Sequence, residues 1–225
     1  MAHRNDQERM TRALRVYERL WPHENSVVER FARLLKDWPR CLHRDRMPGH
    51  LTASAWVCDP EGEHVLFTHH RKLRRWVQLG GHADGEGDLP EVARREAREE
   101  AGATELVLCC PAGDAAGDAG PAGDPAGEWS IFDLDVHPIP PHGNVPAHLH
   151  FDVRFAYVVP RCFDPHVSEE SIDVQWVPIR DLDSYTGEQS IRRMAEKWNT
   201  IVEKTGVTGI PRGADDSRYV RGSTR

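Results

Sequence analysis

The stretch that decides the fold runs from Gly81 to Gly102 and reads GHADGEGDLPEVARREAREEAG. Its second part has the apolar spacing of an amphipathic helix over residues 89–101. The apolar residues on one face of that helix are Leu89, Val92, Ala93 and Ala97. Asp88 is a suitable N-cap, and Gly102 suits the position after the helix, where the backbone turns left-handed. The stretch therefore predicts a loop followed by a helix that is anchored on a core.

Three glutamates fall on one face of the predicted helix. Glu96, Glu99 and Glu100 are spaced i, i+3 and i+4, so their charges repel each other. A hard divalent cation removes that repulsion and prefers oxygen ligands. The spacing indicates a site for Mg²⁺ or Mn²⁺, and the alternative interpretation is a solvated acidic helix surface.

The stretch resembles the Nudix box, the loop-helix-loop signature of Nudix (MutT-like) hydrolases. The box has glycine, five residues, glutamate, seven residues, Arg-Glu, an apolar residue, any residue, Glu-Glu, any residue, glycine and an apolar residue. Gly81 matches the first glycine, and REAREEAGA at residues 95–103 matches the end. The sequence departs from the box at Gly87, where the first glutamate is expected, and Glu86 lies one place early. The variant GGHADG at residues 80–85 resembles that of a Nudix subgroup.

The sequences on either side extend the resemblance. WVQLGG at residues 76–81 is similar to the strand that enters the box, and IDVQWVPIRDL at residues 172–182 is similar to the family's last strand and turn. The resemblance implies an α/β fold, a Nudix-like α/β/α sandwich with a mixed central sheet, over residues 51–203. It also implies hydrolysis of a diphosphate bond in a nucleoside diphosphate derivative or a related small phosphorylated metabolite.

The resemblance implies roles for the residues of the box. The metal ligands would be Glu96, Glu99 and Glu100 together with the carbonyl of Gly80 or Gly81, and Mg²⁺ or Mn²⁺ would be the cofactor. The catalytic group would be Glu99, Glu100 and Arg95, whose guanidinium can orient Glu99 one turn further on. The general base stays open between the two box glutamates and three acidic residues near the last strand: Glu169, Glu170 and Asp173.

The rest of the chain predicts further elements. Residues 1–50 favour an N-terminal helical hairpin, with helices at residues 6–20 and from Ser26, which has a capping-box spacing to Glu29. Alternation and turn residues predict strands at residues 51–58, 64–69, 77–79, 129–136, 149–159 and 172–177. Residues 111–127 contain only Pro, Ala, Gly and Asp, which predicts a disordered insertion. A last helix at residues 188–202 and a flexible tail at residues 204–225 complete the prediction.

A second candidate cluster lies in the strand that begins near residue 149. Alternation places His148, His150 and Asp152 on one face of that strand. With His82 and Asp84 opposite, these side chains predict a site for a transition metal or a substrate phosphate. The alternative interpretation is a polar strand face that is hydrogen-bonded to neighbouring loops.

Other residues are candidates for contacts with a substrate. The basic loop RKLRR at residues 71–75 lies just before the box, which makes Arg71, Lys72 or Arg74 a candidate phosphate contact. Trp76, Trp129 and Phe163 are candidates for stacking on a base, although aromatic residues in strands are usually part of a core. Glu170 completes the set of predicted substrate-binding residues.

Composition sets limits on the class of protein. The chain has 225 residues, of which 39% are hydrophobic, and a formal net charge of −7. The acidic balance argues against a protein that binds a nucleic acid duplex, which needs a basic surface. No apolar run is long enough for a membrane span, and the N-terminus lacks the apolar region of a secretory signal. Five cysteines without a CxxC pair favour reduced thiols, so we expect a cytoplasmic protein, and a homodimer stays open.

Two other functions are known within the same fold. A non-catalytic, Nudix-like ligand-binding or regulatory protein is disfavoured because such sensors commonly lose box glutamates, and all three are present. An isopentenyl-diphosphate isomerase requires an active-site cysteine that precedes a histidine in the early strands. Neither Cys41 nor Cys58 has that setting. The sequence therefore favours a small-molecule pyrophosphohydrolase.

Overall fold

The computed structural model describes residues 2–109 and 129–205 of the chain. The predicted insertion at residues 111–127, and the predicted tail beyond residue 205, lie outside the described residues. The described helices are α1 (Ala2–Leu20), α2 (Asn25–Leu34), α3 (Leu89–Ala101) and α4 (Gln189–Thr205). Short 3₁₀ helices lie at Pro22–Glu24, Leu35–Asp37, Arg40–Leu42 and Ile179–Ser184.

Eight strands in the described residues form one mixed sheet. They are β1 (Gly49–Cys58), β2 (His64–His70), β3 (Arg75–Val77), β4 (Leu79–His82), β5 (Val107–Leu108), β6 (Asp133–Ile139), β7 (His148–Val158) and β8 (Ser171–Pro178). The long strands β1 and β7 pair in parallel, and the other pairs are antiparallel. Strand β1 also pairs with β4 and β2, β6 pairs with β7, and β8 pairs with β2.

The two faces of the sheet carry separate hydrophobic clusters. Leu51 and Val153 belong to a cluster that also contains buried residues of α1, α2 and α3, and we call this side of the sheet the α3 face. Trp56 and Val158 belong to a second cluster with buried residues of α4, on the α4 face. Successive side chains of a strand point to opposite faces, so the face of each residue in β1 and β7 follows from its position. The predicted sandwich with a mixed central sheet, preceded by N-terminal helices, is confirmed.

Several element boundaries differ from the prediction. The single strand expected at residues 77–79 is two strands, and β4 continues through Gly80 and Gly81 because β1 pairs with it along its whole length. The strand expected from Trp129 begins only at Asp133, although the Phe132 N–H already donates to the Arg154 carbonyl of β7 at 2.9 Å. Helix α2 begins at Asn25 without a side-chain cap, so the predicted capping box at Ser26 does not form.

A buried charge network joins the N-terminal helices to the sheet and to α4. Asp133 is fully buried and accepts hydrogen bonds from Arg154 at 3.1 Å, Arg193 at 2.8 Å and Lys197 at 2.7 Å. Lys197 also donates to the hydroxyl of Tyr17 at 2.6 Å. Buried charges are stable only when they are paired and hydrogen-bonded, so this network fixes how α1 and α4 sit on β6 and β7. No local sequence pattern predicts it.

Candidate functional site

Helix α3 forms as the sequence predicts. The Asp88 side chain caps it by accepting a hydrogen bond from the Glu91 N–H at 3.4 Å. Gly102 ends it with a φ of 76°, a left-handed conformation that glycine adopts at little cost. The apolar face is fully buried and holds the helix on the sheet: Leu89, Val92, Ala93 and Ala97. Glu96 and Glu100 lie three residues after Ala93 and Ala97, on the same side of the helix, so their carboxylates point toward the sheet.

The three box glutamates differ in their surroundings. Glu100 is 7% exposed, and its Oε2 atom accepts a hydrogen bond from the Gly80 N–H at 3.3 Å. Glu96 is partly buried and accepts a hydrogen bond from Arg95 at 2.9 Å. The Glu99 side chain is 63% exposed. The carboxylates thus extend from the interior, beside β4, to the surface.

Two residues of the box hold Glu96 in place. A Cβ atom at Gly81 would lie 2.5 Å from the Glu96 carboxylate, so only glycine lets the strand approach so closely. Arg95 donates to Glu96 and also to the carbonyl of His82 at 3.3 Å. Its distance to Glu99 is 4.0 Å, so the guanidinium orients Glu96 more closely than it orients the Glu99 carboxylate, which was its predicted partner.

Burial changes the acidity of the inner carboxylates. It raises the pKa of Glu100 to about 8, and the negative charge of Glu96 adds to the effect. Burial also raises the pKa of Glu96, although its hydrogen bond from Arg95 acts in the opposite direction. A cation bound between these oxygen atoms would stabilise both charged forms.

Among the acidic residues proposed as a general base outside the box, Glu170 is the one whose charge acts on the site. It raises the pKa of both Glu96 and Glu100, and its backbone carbonyl accepts a hydrogen bond from the Arg71 N–H at 2.8 Å. Asp173 instead bonds to its neighbours in β8, and Glu169 offers its carbonyl to the Arg71 side chain. Of these three residues, Glu170 is therefore the one whose charge adds to burial in raising the pKa of the inner carboxylates.

Five histidines meet on the α4 face and form what we call the imidazole cluster: His50, His82, His137, His148 and His150. The ring of His150 lies 4.9 Å from that of His82 and 5.0 Å from that of His50, measured between centroids. Burial, followed by the charges of neighbouring rings, lowers the pKa of His150 to about 2. Burial also lowers the pKa of His50 to about 4. These two rings are therefore neutral at pH 7.

Only part of this cluster was predictable from the sequence. His148, His150 and His82 come together as expected, whereas His50 and His137 were missed. Each of the missed residues is paired with His150 in a neighbouring strand, and this register is a tertiary property that no local pattern contains.

The two acidic residues that were predicted to join the histidines, Asp152 and Asp84, form hydrogen bonds and ion pairs with other residues. Asp152 is 2% exposed and accepts hydrogen bonds from Thr52 at 2.9 Å, Ser54 at 2.8 Å and Arg154 at 2.8 Å. Asp84 has a φ of 50° and forms a two-point ion pair with Arg44. Asp152 thus stabilises the sheet, and Asp84 anchors the box loop to the segment before β1.

The predicted phosphate and base contacts are spread over several places. Arg74 and Trp76 line a cleft of about 400 Å³ together with Tyr185, and Trp76 packs on the α4-face cluster, away from α3. Arg71 donates to the backbone carbonyls of Glu169 and Ser171. The other two aromatic candidates, Trp129 and Phe163, belong to the α3-face core or pack against it.

The two donor sets meet at β4 but face opposite sides of the sheet. Gly81 is paired with Ala53 and faces the Glu96 carboxylate, whereas His82 is paired with Thr52 and joins the imidazole cluster. Adjacent residues of a strand point to opposite faces, so one strand serves an oxygen-donor site and a nitrogen-donor site.

Comparison with solved structures relates this fold to known proteins. A MutT protein from Methanosarcina mazei Go1 is 17% identical, with a TM-score of 0.50, over 70% of this chain and 96% of that chain. A NUDIX-family hydrolase from Clostridium perfringens is 23% identical, with a TM-score of 0.48, over 68% of this chain and 97% of that chain. An Ap4A hydrolase from C. elegans is 14% identical, with a TM-score of 0.48, over 68% of this chain and 98% of that chain.

At the level of sequence, no curated protein matches the chain. No helix within the part of the chain that the structure describes is long and apolar enough to cross a membrane. The family described as NUDIX domain matches residues 48–198, a range that contains the box, the imidazole cluster and most of α4. A match over two thirds of the sequence, together with the box geometry around α3, shows that this chain belongs to the NUDIX domain family.

Proposed function

We propose that the protein is a metal-dependent Nudix pyrophosphohydrolase, which cleaves a phosphoanhydride bond in a nucleoside diphosphate derivative or a related small phosphorylated metabolite. The observation that carries the proposal is the group of three carboxylates on α3, of which Glu100 is buried against Gly80 and Glu96 is packed against Gly81. Burying carboxylates side by side costs free energy, which a cation-binding role would explain.

The residues present fit Mg²⁺ or Mn²⁺. Both ions take oxygen ligands, and Glu96, Glu99 and Glu100 supply carboxylates next to the carbonyl of Gly81. When bound, such an ion neutralises diphosphate oxygens and lowers the pKa of a bound water. The close approach of Gly81 to Glu96 is the feature that a larger residue would destroy.

The chain's own residues would divide the remaining work. Arg95 holds Glu96 through the hydrogen bond at 2.9 Å and so acts as a positioning residue. Glu99, Glu100 and Glu170 are the carboxylates proposed to accept a proton from the attacking water.

The test is a substrate panel with a matched pair of variants. Wild-type protein with Mg²⁺ is assayed for release of phosphate, pyrophosphate or a nucleoside monophosphate from nucleoside triphosphates, dinucleoside polyphosphates and nucleoside diphosphate sugars. Glu99→Gln should lower kcat by about 10²-fold or more, because a metal-bound carboxylate is lost. Glu91→Gln changes an exposed glutamate of the same helix that is paired with Arg94, and it should leave kcat unchanged.

Two outcomes would overturn the proposal. Equal turnover in wild type and Glu99→Gln would place the chemistry outside the box. Saturable binding of a nucleotide without turnover, with either Mg²⁺ or Mn²⁺, would favour the ligand-binding alternative.

A further inference from the structure

Three histidines of the imidazole cluster have the arrangement of metal ligands. One ring nitrogen from each of His50, His148 and His150 lies within 4.8 Å of the corresponding nitrogens of the other two. The three residues come from adjacent strands, since β1 and β7 pair in parallel with His50 opposite His150. The group lies on the α4 face, whereas the box carboxylates lie on the α3 face, so it is a different donor set from that of the proposed hydrolase site.

Backbone carbonyls fix the tautomer of two of these rings. His148 Nδ1 lies 2.9 Å from the Pro146 carbonyl, and His50 Nδ1 lies 3.4 Å from the Arg46 carbonyl. A carbonyl only accepts hydrogen bonds, so each Nδ1 must carry the proton, and each Nε2 then has a free lone pair. Metal-ligating histidines are oriented in this way, with the second nitrogen donating to a carbonyl or carboxylate.

One of those lone pairs is buried and has no partner among the described residues. His50 is 1% exposed, and its Nε2 atom makes no hydrogen bond within residues 2–109 and 129–205. A buried polar atom left unsatisfied costs about 1–3 kcal/mol, so native proteins rarely keep one unless a ligand or an ordered water satisfies it. The same Nε2 belongs to a ring that packs at 5.0 Å from both His148 and His150.

The distance between the Nε2 atoms of His148 and His150 is the one expected for two ligands of the same metal ion. His148 Nε2 and His150 Nε2 lie 3.3 Å apart. With zinc–nitrogen bonds of about 2.0–2.1 Å, two ligands of a tetrahedral site are about 3.3 Å apart. A hydrogen bond between the two rings is the alternative explanation of this one distance, but it leaves His50 Nε2 without a partner in the part of the chain that the structure describes.

We propose that His50, His148 and His150 bind one transition-metal ion of the Zn²⁺ class, with His82 as the neighbouring side chain available to complete the site. Imidazole ligands select Zn²⁺, Ni²⁺ or Cu²⁺, whereas the carboxylates of α3 suit Mg²⁺ and Mn²⁺. The ion would join the ends of β1 and β7. This site goes beyond the proposed hydrolase activity and does not depend on it.

The test is zinc binding by protein that carries no histidine tag. Metal-stripped protein is titrated with Zn²⁺ in a large excess of Mg²⁺, and bound zinc is measured by calorimetry and elemental analysis. Wild type should bind one zinc per chain. Removing a residue that only hydrogen-bonds to a metal ligand typically lowers metal affinity by about 10–100-fold. His50→Gln and His150→Gln remove a ligand itself, so each should lower the zinc affinity by about 10²-fold or more.

Two matched controls separate this site from the rest of the molecule. His142→Gln changes an exposed histidine outside the cluster, and Glu99→Gln changes the carboxylate site, so both should bind zinc like wild type. A result in which Glu99→Gln loses the zinc while His50→Gln keeps it would overturn the proposal, because the ion would then belong to the box.

A measurement on wild type removes the dependence on how well the variants fold. X-ray absorption at the zinc edge should show imidazole scattering, with nitrogen neighbours at about 2.0–2.1 Å. Oxygen neighbours without imidazole scattering, or no bound zinc in wild type, would also overturn the proposal.

Discussion

The carboxylate of Asp6, in the first helix, lies where a side chain at Gly87 would begin, because a Cβ atom at Gly87 would be 2.5 Å from the Asp6 Oδ2. The Nudix box, which this sequence resembles, has its first glutamate at the position of Gly87. Next to it, Arg9 forms an ion pair with Asp88 at 3.3 Å. Helix α1 therefore packs against the box loop, and a glutamate at residue 87 would overlap the Asp6 side chain.

The first prediction restores the box glutamate. Gly87→Glu should lower the free energy of unfolding by about 1–3 kcal/mol, since the new side chain overlaps Asp6 and repels its charge. The measurement is urea unfolding followed by circular dichroism.

A double-mutant cycle tests whether Asp6 is the cause. In an Asp6→Ala background the same Gly87→Glu change should cost clearly less, because the overlapping carboxylate is gone. An equal cost in both backgrounds would contradict the explanation and assign the effect to the loop itself.

The second prediction separates catalysis from stability at Glu100. This carboxylate is 7% exposed and lies near the charges of Glu96 and Glu170. Glu100→Gln removes a buried charge but keeps an oxygen that can accept from the Gly80 N–H. We expect kcat with Mg²⁺ to fall by about 10²-fold or more, while the melting temperature of the metal-free protein rises.

The melting temperatures of wild type, Glu100→Gln and Glu91→Gln are measured by thermal unfolding in the presence of a chelator. Glu91→Gln is the matched control, because it changes an exposed glutamate of the same helix. A lower melting temperature for Glu100→Gln would mean that the charged carboxylate stabilises the metal-free fold, against this interpretation.

The parts of the site that were predictable depend on neighbours in sequence. Helix α3 is fixed by Asp88 at its start and Gly102 at its end, both within a turn of the residues that they satisfy. The position of Glu96 beside Gly81 was implied by the resemblance to the box. Local signals and one long motif are therefore enough to predict helix α3 and the position of Glu96 beside β4.

The rest depends on contacts between distant residues. The Asp152 carboxylate accepts hydrogen bonds from Thr52 and Ser54, which lie about a hundred positions earlier in the chain. A strand pattern alone could not show that this carboxylate already has these partners. His50 joins the imidazole cluster only because β1 pairs with β7 in parallel. The strand alternation that grouped His148 with His150 was right, but alternation within one strand says nothing about which strand lies beside it.

The third prediction concerns the buried charge network. Asp133→Asn removes the only acidic centre that Arg154, Arg193 and Lys197 share at this place in the described residues, leaving their charges incompletely compensated. Breaking a buried pair in this way typically costs about 3–5 kcal/mol. Urea unfolding of Asp45→Asn, which loses an exposed pair with Arg40, should show a change below about 1 kcal/mol. Equal effects of the two variants would contradict a structural role for the network.

The fourth prediction is the response of the same network to acid. Burial alone would raise the pKa of Asp135, but the hydrogen bond from His137 and the charge of Arg154 outweigh it and lower the pKa. A carboxyl group with a lowered pKa in the folded state stabilises the protein above its unfolded pKa, near 4, and this stabilisation is lost as the pH falls further. The free energy of unfolding of wild type should therefore decrease steeply below about pH 4.

Asp135→Asn should reduce that slope, whereas Asp183→Asn, which changes an exposed partner of Arg192, should retain it. The measurement is urea unfolding between about pH 6 and pH 3 for the three proteins, and a wild-type slope in Asp135→Asn would show that other groups carry the acid response.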